Sequence, residues 1–289
     1  MDAFFEILKS ILQGVVQGIT EWLPISSTGH LIIAEEFVPF TRSAAFFDLF
    51  SVLIQLGSIL AVLVLYFHKL NPFSPQKTAP EKKSTWMLWG KVLIASIPAA
   101  VAGLLIDDWL DSMEAEHKGV FLYIIAAALI VYGVAFIVME CVVRKSRVND
   151  LGEISPKLAL GIGAFQMLAL IPGTSRSGST ILGASLLGTS RAVAAEFSFF
   201  MAIPVMFGAS GLKLLKAAAD GDLASFAWLD WACLLVGFAV SFAVSVLVIR
   251  LLMNFIKKHD FKVFGWYRIV LGIVLAVLVA VGALESNIL

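Results

Sequence analysis

Two short polar segments interrupt this otherwise strongly apolar chain, and they resemble one another. The first is Pro24-Ile25-Ser26-Ser27-Thr28-Gly29-His30, and the second is Pro172-Gly173-Thr174-Ser175-Arg176-Ser177-Gly178-Ser179-Thr180. Each is a proline, a run of small hydroxyl residues and a glycine. Of the 289 residues, 60% are hydrophobic and 15% charged, where a soluble domain has roughly 45–50% and about 25%. The mean hydropathy is +0.93. Such a chain is expected to be an integral membrane protein. Irregular polar backbone is costly in a bilayer unless it is buried in protein or lines a cavity. Two breaks half a chain apart therefore suggest a site built where two halves meet.

Apolar runs at 46–67, 86–106, 120–143, 192–215, 231–253 and 264–284 are each near the ~20 residues that a spanning helix needs. Segments 3–37 and 156–188 differ. Each reads as two shorter helices broken at the polar segment. A residue before proline avoids the helical region, so Leu23 and Ile171 should end the first helix of each pair. With neither half long enough to span, two re-entrant hairpins are predicted.

The halves then match. Residues 1–148 hold a hairpin and three spans, and residues 149–289 hold the same. Pro24 and Pro172 are 148 apart, Phe50-Ser51 and Phe197-Ser198 are 147 apart, and Trp86 and Trp89 share their spacing with Trp228 and Trp231. The common order argues for duplication, and an odd number of spans per half inverts the second copy. The predicted fold class is an all-α integral membrane protein of one domain, an inverted-topology repeat of six transmembrane helices plus two re-entrant helical hairpins.

Loop charge predicts the orientation. His68, Lys69, Lys77, Lys82 and Lys83, then Arg144, Lys145, Arg147 and Lys157, then Lys257, Lys258 and Lys262 fall on one side, the expected cytoplasmic face. Asp107, Asp108, Asp111, Glu114 and Glu116, with Asp220, Asp222 and Asp230, fall on the other. Both termini are then outside, and the hairpin tips approach one another from opposite sides. The 71–85 stretch, with Pro72, Pro75 and Pro80, reads as an exposed loop. Net charge is zero, so nothing indicates a nucleic-acid partner. Cys141 and Cys233 are too few for a disulfide framework. No basic segment precedes the first apolar stretch, which is expected to belong to the mature fold.

The breaks concentrate the candidate chemistry. Gln17 and Glu21 are four apart on the first half-helix and share a face. A carboxylate at membrane depth is expensive and usually functional; otherwise Glu21 caps backbone or sits at the interface. Ser26, Ser27 and Thr28 precede a helix expected to begin near Gly29, where hydroxyls ordinarily cap. Ser175, Ser177, Ser179 and Thr180 repeat that arrangement. Two helix N-termini pointing inward, each with about half a positive charge, make an anion site suited to phosphate. Arg176 adds a planar donor fork that suits phosphate oxygens, although an ion pair with Glu21 or Glu196 would also explain it. His30 suits proton transfer near neutral pH, or bonds backbone structurally. A divalent cation would relieve repulsion between Glu21 and phosphate, as would use of Glu21 as base. Such an ion would keep waters and share substrate oxygens rather than occupy a closed protein cage, and nothing has zinc spacing. Asp48 and Glu196 could support the site or lie at the interface. Lys91 and Arg268 read as snorkelling residues near span ends. Arg191 pairs with Glu196 or faces headgroups, and the 22 phenylalanines read as lipid-facing surface and packing.

Gln17-Gly18-Ile19-Thr20-Glu21 followed by Leu23-Pro24-Ile25-Ser26-Ser27-Thr28-Gly29-His30 resembles the first motif region of the undecaprenyl-diphosphate phosphatases, the bacitracin-resistance family. Pro172 to Thr180 is similar to their second signature. Phe50 to Val62, with Ile54-Gln55-Leu56-Gly57-Ser58, and Glu196-Phe197-Ser198-Phe199 also fit, so the likeness runs through essentially the whole chain. It implies an inner-membrane hydrolase that converts undecaprenyl diphosphate to the monophosphate and phosphate on the periplasmic side, with Mg²⁺ or Ca²⁺. It would recycle the lipid carrier of peptidoglycan synthesis. Carried over by position, Ser27 is the nucleophile, Glu21 handles metal or protons, and His30 does acid/base work. Arg176 with Ser175, Ser177 and Thr180 binds phosphate, and Gln17, Ser26 and Thr28 complete the substrate site. Gln17 stands where some members have a second carboxylate, which weakens a two-carboxylate metal site. Ser51 stands where an acidic residue is expected in many members.

The partners expected are undecaprenyl diphosphate and membrane lipid, with a homodimer possible. A lipid-carrier flippase or phosphate-headgroup transporter on the same repeat is the competing reading, but transport needs neither a nucleophile nor an acid/base histidine.

Overall fold

The computed structural model describes residues 2–143 and 145–284. Among these the chain is helical and contains no β-strand. In order, the helices are α1 (Asp2–Thr20), α2 (Ser27–Phe37), α3 (Ala44–Leu65), the single turn α4 (Phe67–Leu70), α5 (Ala79–Glu116) and α6 (Lys118–Val142). There follow α7 (Pro156–Met167), α8 (Arg176–Leu186), α9 (Arg191–Ala219), the single turn α10 (Asp222–Ser225), α11 (Trp228–Phe255) and α12 (Lys262–Ala280). Six helices (α3, α5, α6, α9, α11 and α12) are long and apolar enough to cross a membrane. They coincide with the six apolar runs.

The helix pairs at the breaks are present, with different bounds from those predicted. α1 ends at Thr20 and α7 at Met167, not at Leu23 and Ile171. The chain turns through Glu21–Ile25 in the first case and passes through a 3-10 turn, Leu168–Leu170, in the second. Ile171, directly before Pro172, is extended with φ −72° and ψ 120°, as a following proline requires, and the helix tightens into its 3-10 turn just ahead of it. α1 is also longer than half a span: its 19 residues rise about 28 Å. It is nevertheless not among the six spans, because Glu6, Lys9, Gln13 and Gln17 interrupt its apolar character. α2 begins at Ser27, two residues before Gly29, with Ser26 as its cap. The 71–85 stretch is only partly loop, since Pro80 is the second residue of α5, a position that needs no backbone N–H donor.

Helix packing pairs α1 with α11 and α5 with α7, α3 with α11 and α5 with α9, and brings α6 onto α12 and α3 onto α9. Small residues permit the closest approaches, as between helices in lipid. A Cβ on Gly133 of α6 would meet the Gly265 carbonyl oxygen at 2.6 Å, and one on Gly265 would meet that of Gly133 at 2.7 Å. The core is aromatic: Trp22, Phe46, Phe50, Phe136, Phe197, Phe199, Phe200 and Phe261 are fully buried. Phenylalanine thus serves packing more than the outer surface, where leucine and valine dominate.

Several peripheral assignments change. Arg191 pairs with Glu140 at 2.5 Å, and Glu196 with Lys69 at 2.7 Å. Lys91 donates to the Leu151 and Gly152 carbonyls rather than reaching outward alone. Asp48 is exposed. Both cysteines are free. The side chains of Asp107, Asp108, Asp111, Glu114 and Glu116, residue Arg144 and both chain ends, on which part of the orientation argument rests, lie outside the described residues.

Candidate active site

Each break delivers a helix N-terminus in the same unusual way. Ser26 and Ser175 are the N-caps of α2 and α8, and their hydroxyls accept from the Gly29 and Gly178 amides. Both serines have positive φ, 76° and 71°, the only non-glycine residues among those described that do. Such a backbone costs of order 1–3 kcal/mol and persists only where the surroundings over-determine it. Between Pro172 and this cap, Gly173 has φ 88°. A Cβ there would lie 2.7 Å from the Ile125 carbonyl oxygen, so the turn requires glycine on both counts.

The two breaks meet at Glu21. Its Oε2 accepts from Ser27 Oγ at 2.9 Å and from Gln17 Nε2 at 3.0 Å. Its Oε1 accepts from Arg176 Nη2 at 3.0 Å. Glu21 is 4% exposed and the Arg176 side chain 12%, so this ion pair is shielded from water. Arg176 is held further by donation to the Ser198 carbonyl at 2.8 Å and lies over the buried Trp22 ring. Its Nε has no partner. Ser177 donates to the Glu21 carbonyl, shares a hydrogen bond with Ser175, and so ties the second break to the first. Thr180 bonds Ser198 at 2.6 Å beneath Arg176. Ser27 is half-buried and Thr28 exposed. Gln17, Glu21, Ser26, Ser27, Ser175, Arg176, Ser177 and Thr180 are thus gathered, whereas Thr28 makes none of these contacts.

His30 stands apart from that cluster. Its Nδ1 lies 2.7 Å from the Ser26 carbonyl oxygen and its Nε2 2.7 Å from the Tyr267 hydroxyl. A carbonyl only accepts, so Nδ1 carries a proton, and in the neutral ring Nε2 accepts from Tyr267. The rings are nearly parallel, with centroids 5.6 Å apart.

Arg268 was read from the sequence as a snorkelling residue, and the structure corrects this. It is 0% exposed. Nη1 donates to the Pro24 carbonyl at 3.0 Å, and Nη2 to those of Gly173 and Thr174 at 2.8 and 2.9 Å. It is a clasp joining the two breaks by their backbones, with its guanidinium over the Tyr132 ring at 5.3 Å. Tyr132 in turn accepts from Ser179 at 3.1 Å. Arg268 and Tyr267 sit in an apolar helix far along the chain from both breaks. The only signal in the sequence was a charge inside a spanning run, which ordinarily marks function.

A family model described as bacitracin resistance protein BacA matches residues 10–274. The chain is 54% identical over 276 residues to the undecaprenyl-diphosphatase of Enterococcus faecalis, covering 94% of this chain and 97% of the relative. It is 56% identical over 270 residues to that of Lactiplantibacillus plantarum, at 93% and 96% coverage. It is 55% identical over 276 residues to undecaprenyl-diphosphatase 1 of Clostridioides difficile, at 95% and 97% coverage.

Proposed function

The chain belongs to the bacitracin resistance protein BacA family, and from that premise we propose that it hydrolyses undecaprenyl diphosphate at the Glu21–Ser27–Arg176 cluster. The products are undecaprenyl phosphate and inorganic phosphate. It is a multi-pass membrane hydrolase that returns the lipid carrier to cell-wall synthesis, an activity that fits resistance to bacitracin.

One observation carries the assignment to these residues. A single buried carboxylate accepts from a hydroxyl on one break and from an arginine on the other. That is the nucleophile–base arrangement of covalent catalysis, with a phosphate-binding group alongside. In the reaction we derive, Ser27 Oγ attacks the terminal phosphorus and passes its proton to Glu21 Oε2. The Oγ–P bond forms, the bridging P–O bond breaks, and undecaprenyl phosphate leaves. Water then attacks the phosphoserine. Glu21 returns its proton to Ser27 Oγ as the Oγ–P bond breaks, and inorganic phosphate leaves with both protons of the water. Arg176 and the first-turn amides of α2 and α8 offset charge developing on the phosphoryl oxygens. His30, held in one tautomer by Ser26, takes one proton of the attacking water at Nε2 through the Tyr267 hydroxyl and returns it by the same path to the departing inorganic phosphate. The same geometry also serves a water nucleophile held by Ser27.

A divalent cation, Mg²⁺ or Ca²⁺, belongs to the proposal. No cluster of three or more His, Cys, Asp or Glu occurs among the described residues. The donors present are the Glu21 carboxylate and Gln17 Oε1, which is buried without a partner. That sparse set fits an ion which keeps waters and shares phosphate oxygens. Such an ion would supply further charge neutralisation at the diphosphate.

We further propose that 1–148 and 149–289 are inverted repeats, with α1–α2 and α7–α8 as re-entrant hairpins. Exchanging the halves turns the α1–α11 contact into α7–α5 and the α3–α11 contact into α9–α5, while α6–α12 and α3–α9 map onto themselves. Loop charge then orients the active site toward the periplasm with both termini outside. The same symmetry is what a carrier-flippase reading would rest on. The deciding experiment measures phosphate release from undecaprenyl diphosphate by purified protein in detergent with Mg²⁺ or Ca²⁺. No release, together with carrier movement across liposomes, would overturn the hydrolase assignment.

A further inference from the structure

A cavity of about 290 Å³ opens at the lysine-rich face, where α6 ends and α9 begins, with Lys145, Ser185, Thr189 and Arg191 among its lining residues. It lies at the other end of α8 from Arg176. Ser185 lies nine positions after Arg176, about 14 Å along the helix. Two of its hydroxyls are out of place as they stand. Ser185 Oγ and Thr189 Oγ1 are buried without a hydrogen-bond partner, in residues 3% and 2% exposed. Buried polar groups in native proteins are nearly always paired, and these two hydroxyls are free to pair with a ligand in the cavity.

The charge around them gives the ligand its sign. The first turn of the 29-residue α9 opens into the cavity, capped by Ser190, and a helix start presents free amides and partial positive charge. Lys145 is exposed and makes no ion pair among the described residues. The one carboxylate in the wall, Glu140, is already neutralised. It is gripped through both oxygens by Arg191 and accepts the Phe261 amide at 2.9 Å. The backbone is braced as well: Arg147 and Val148 amides donate to the Gly188 carbonyl, and the Ser190 amide donates to that of Val148.

We propose that this cavity is a second anion site, one that takes a phosphate group at the face opposite the catalytic opening. The phosphate accepts from Ser185, Thr189 and the α9 amides, with Lys145 closing over it. Two sources share that chemistry, the headgroup of an anionic phospholipid and free inorganic phosphate. Basic recesses between helices on the cytoplasmic side suit such headgroups. The site goes beyond the hydrolase reading and does not depend on it, since no catalytic residue lines it.

The test titrates the full-length chain in neutral detergent with phosphatidylglycerol, and separately with inorganic phosphate, counting bound copies by native mass spectrometry. Wild type, Lys145→Glu and Thr189→Val are compared, each repeated with Arg176→Ala to remove binding at the catalytic end. Lys145→Glu should weaken the saturable component about tenfold, while diphosphatase turnover stays within a factor of about two. Thr189→Val keeps the volume and removes an unpaired hydroxyl, so it should weaken binding about threefold yet raise the melting temperature of the ligand-free protein. Loss confined to the phosphatidylglycerol arm assigns the site to a lipid headgroup, and loss in both arms to phosphate itself. Binding unchanged by both substitutions, or absent from wild type in both arms, overturns the proposal.

Discussion

Replacing Arg268 with methionine tests whether the clasp between the breaks is what makes the site. The guanidinium donates to three buried carbonyls, of Pro24, Gly173 and Thr174. Leaving each unpaired costs about 1–3 kcal/mol. Against that, Arg268 is a buried charge with no carboxylate partner, held only by carbonyls and the Tyr132 ring. Removing such a charge returns several kcal/mol of desolvation. The two effects are of similar size, so the melting temperature should move little in either direction. Catalysis has no such compensation. Glu21 and Ser27 belong to the first break and Arg176 to the second, and the clasp sets their relative position. A shift of about 1 Å in a catalytic array costs about 10²-fold. Arg268→Met should therefore lower kcat about 100-fold while the protein remains folded. Arg268→Lys, which keeps the charge but cannot span both breaks, should fall between. The assay is steady-state phosphate release in detergent alongside a thermal melt. A methionine variant within threefold of wild-type kcat/KM would refute the argument.

Other substitutions divide the roles within the cluster. Arg176→Ala should abolish turnover while folding survives, and near-normal phosphate release would remove Arg176 from phosphate binding. Ser27→Ala separates nucleophile from positioning group: a loss of about 10³-fold or more is expected for an obligatory phosphoserine, and substantial residual rate would favour direct attack by water. Tyr267→Phe deletes the hydroxyl bonded to His30 Nε2. It should lower kcat about tenfold with KM within a factor of about two, as removal of part of an acid/base relay does. An unchanged kcat would take the His30–Tyr267 pair out of proton handling.

Glu21, Ser27 and Arg176 stood out as candidates in the chain because they lie at the two polar breaks in otherwise apolar sequence, and the fold brings them within hydrogen-bond reach of one another. The six spans were legible for the complementary reason, since length and hydropathy alone meet the demand of the bilayer. Helix ends were less so. α1 and α7 each stop three residues or more before the expected position: a proline restricts only the residue before it, as the extended Ile171 shows, and carries no signal for the tight turn or 3-10 turn that comes earlier. Arg268 was misread because its three acceptors are 94, 95 and 244 residues away, and all are backbone carbonyls, which carry no residue-type signature.

Local chemistry therefore determined that this chain lives in a membrane, that it is broken twice, and which residue types stand at each break. Backbone conformation and the polarity of short segments are near-neighbour properties, and the order of residues specifies them. Only the tertiary structure decided that Glu21 serves both breaks at once, that His30 faces Tyr267 rather than Ser27, and that an arginine from α12 holds the two turns together. Those outcomes depend on which surfaces of distant helices fit one another, and close packing through residues such as Gly133 and Gly265 settles that fit.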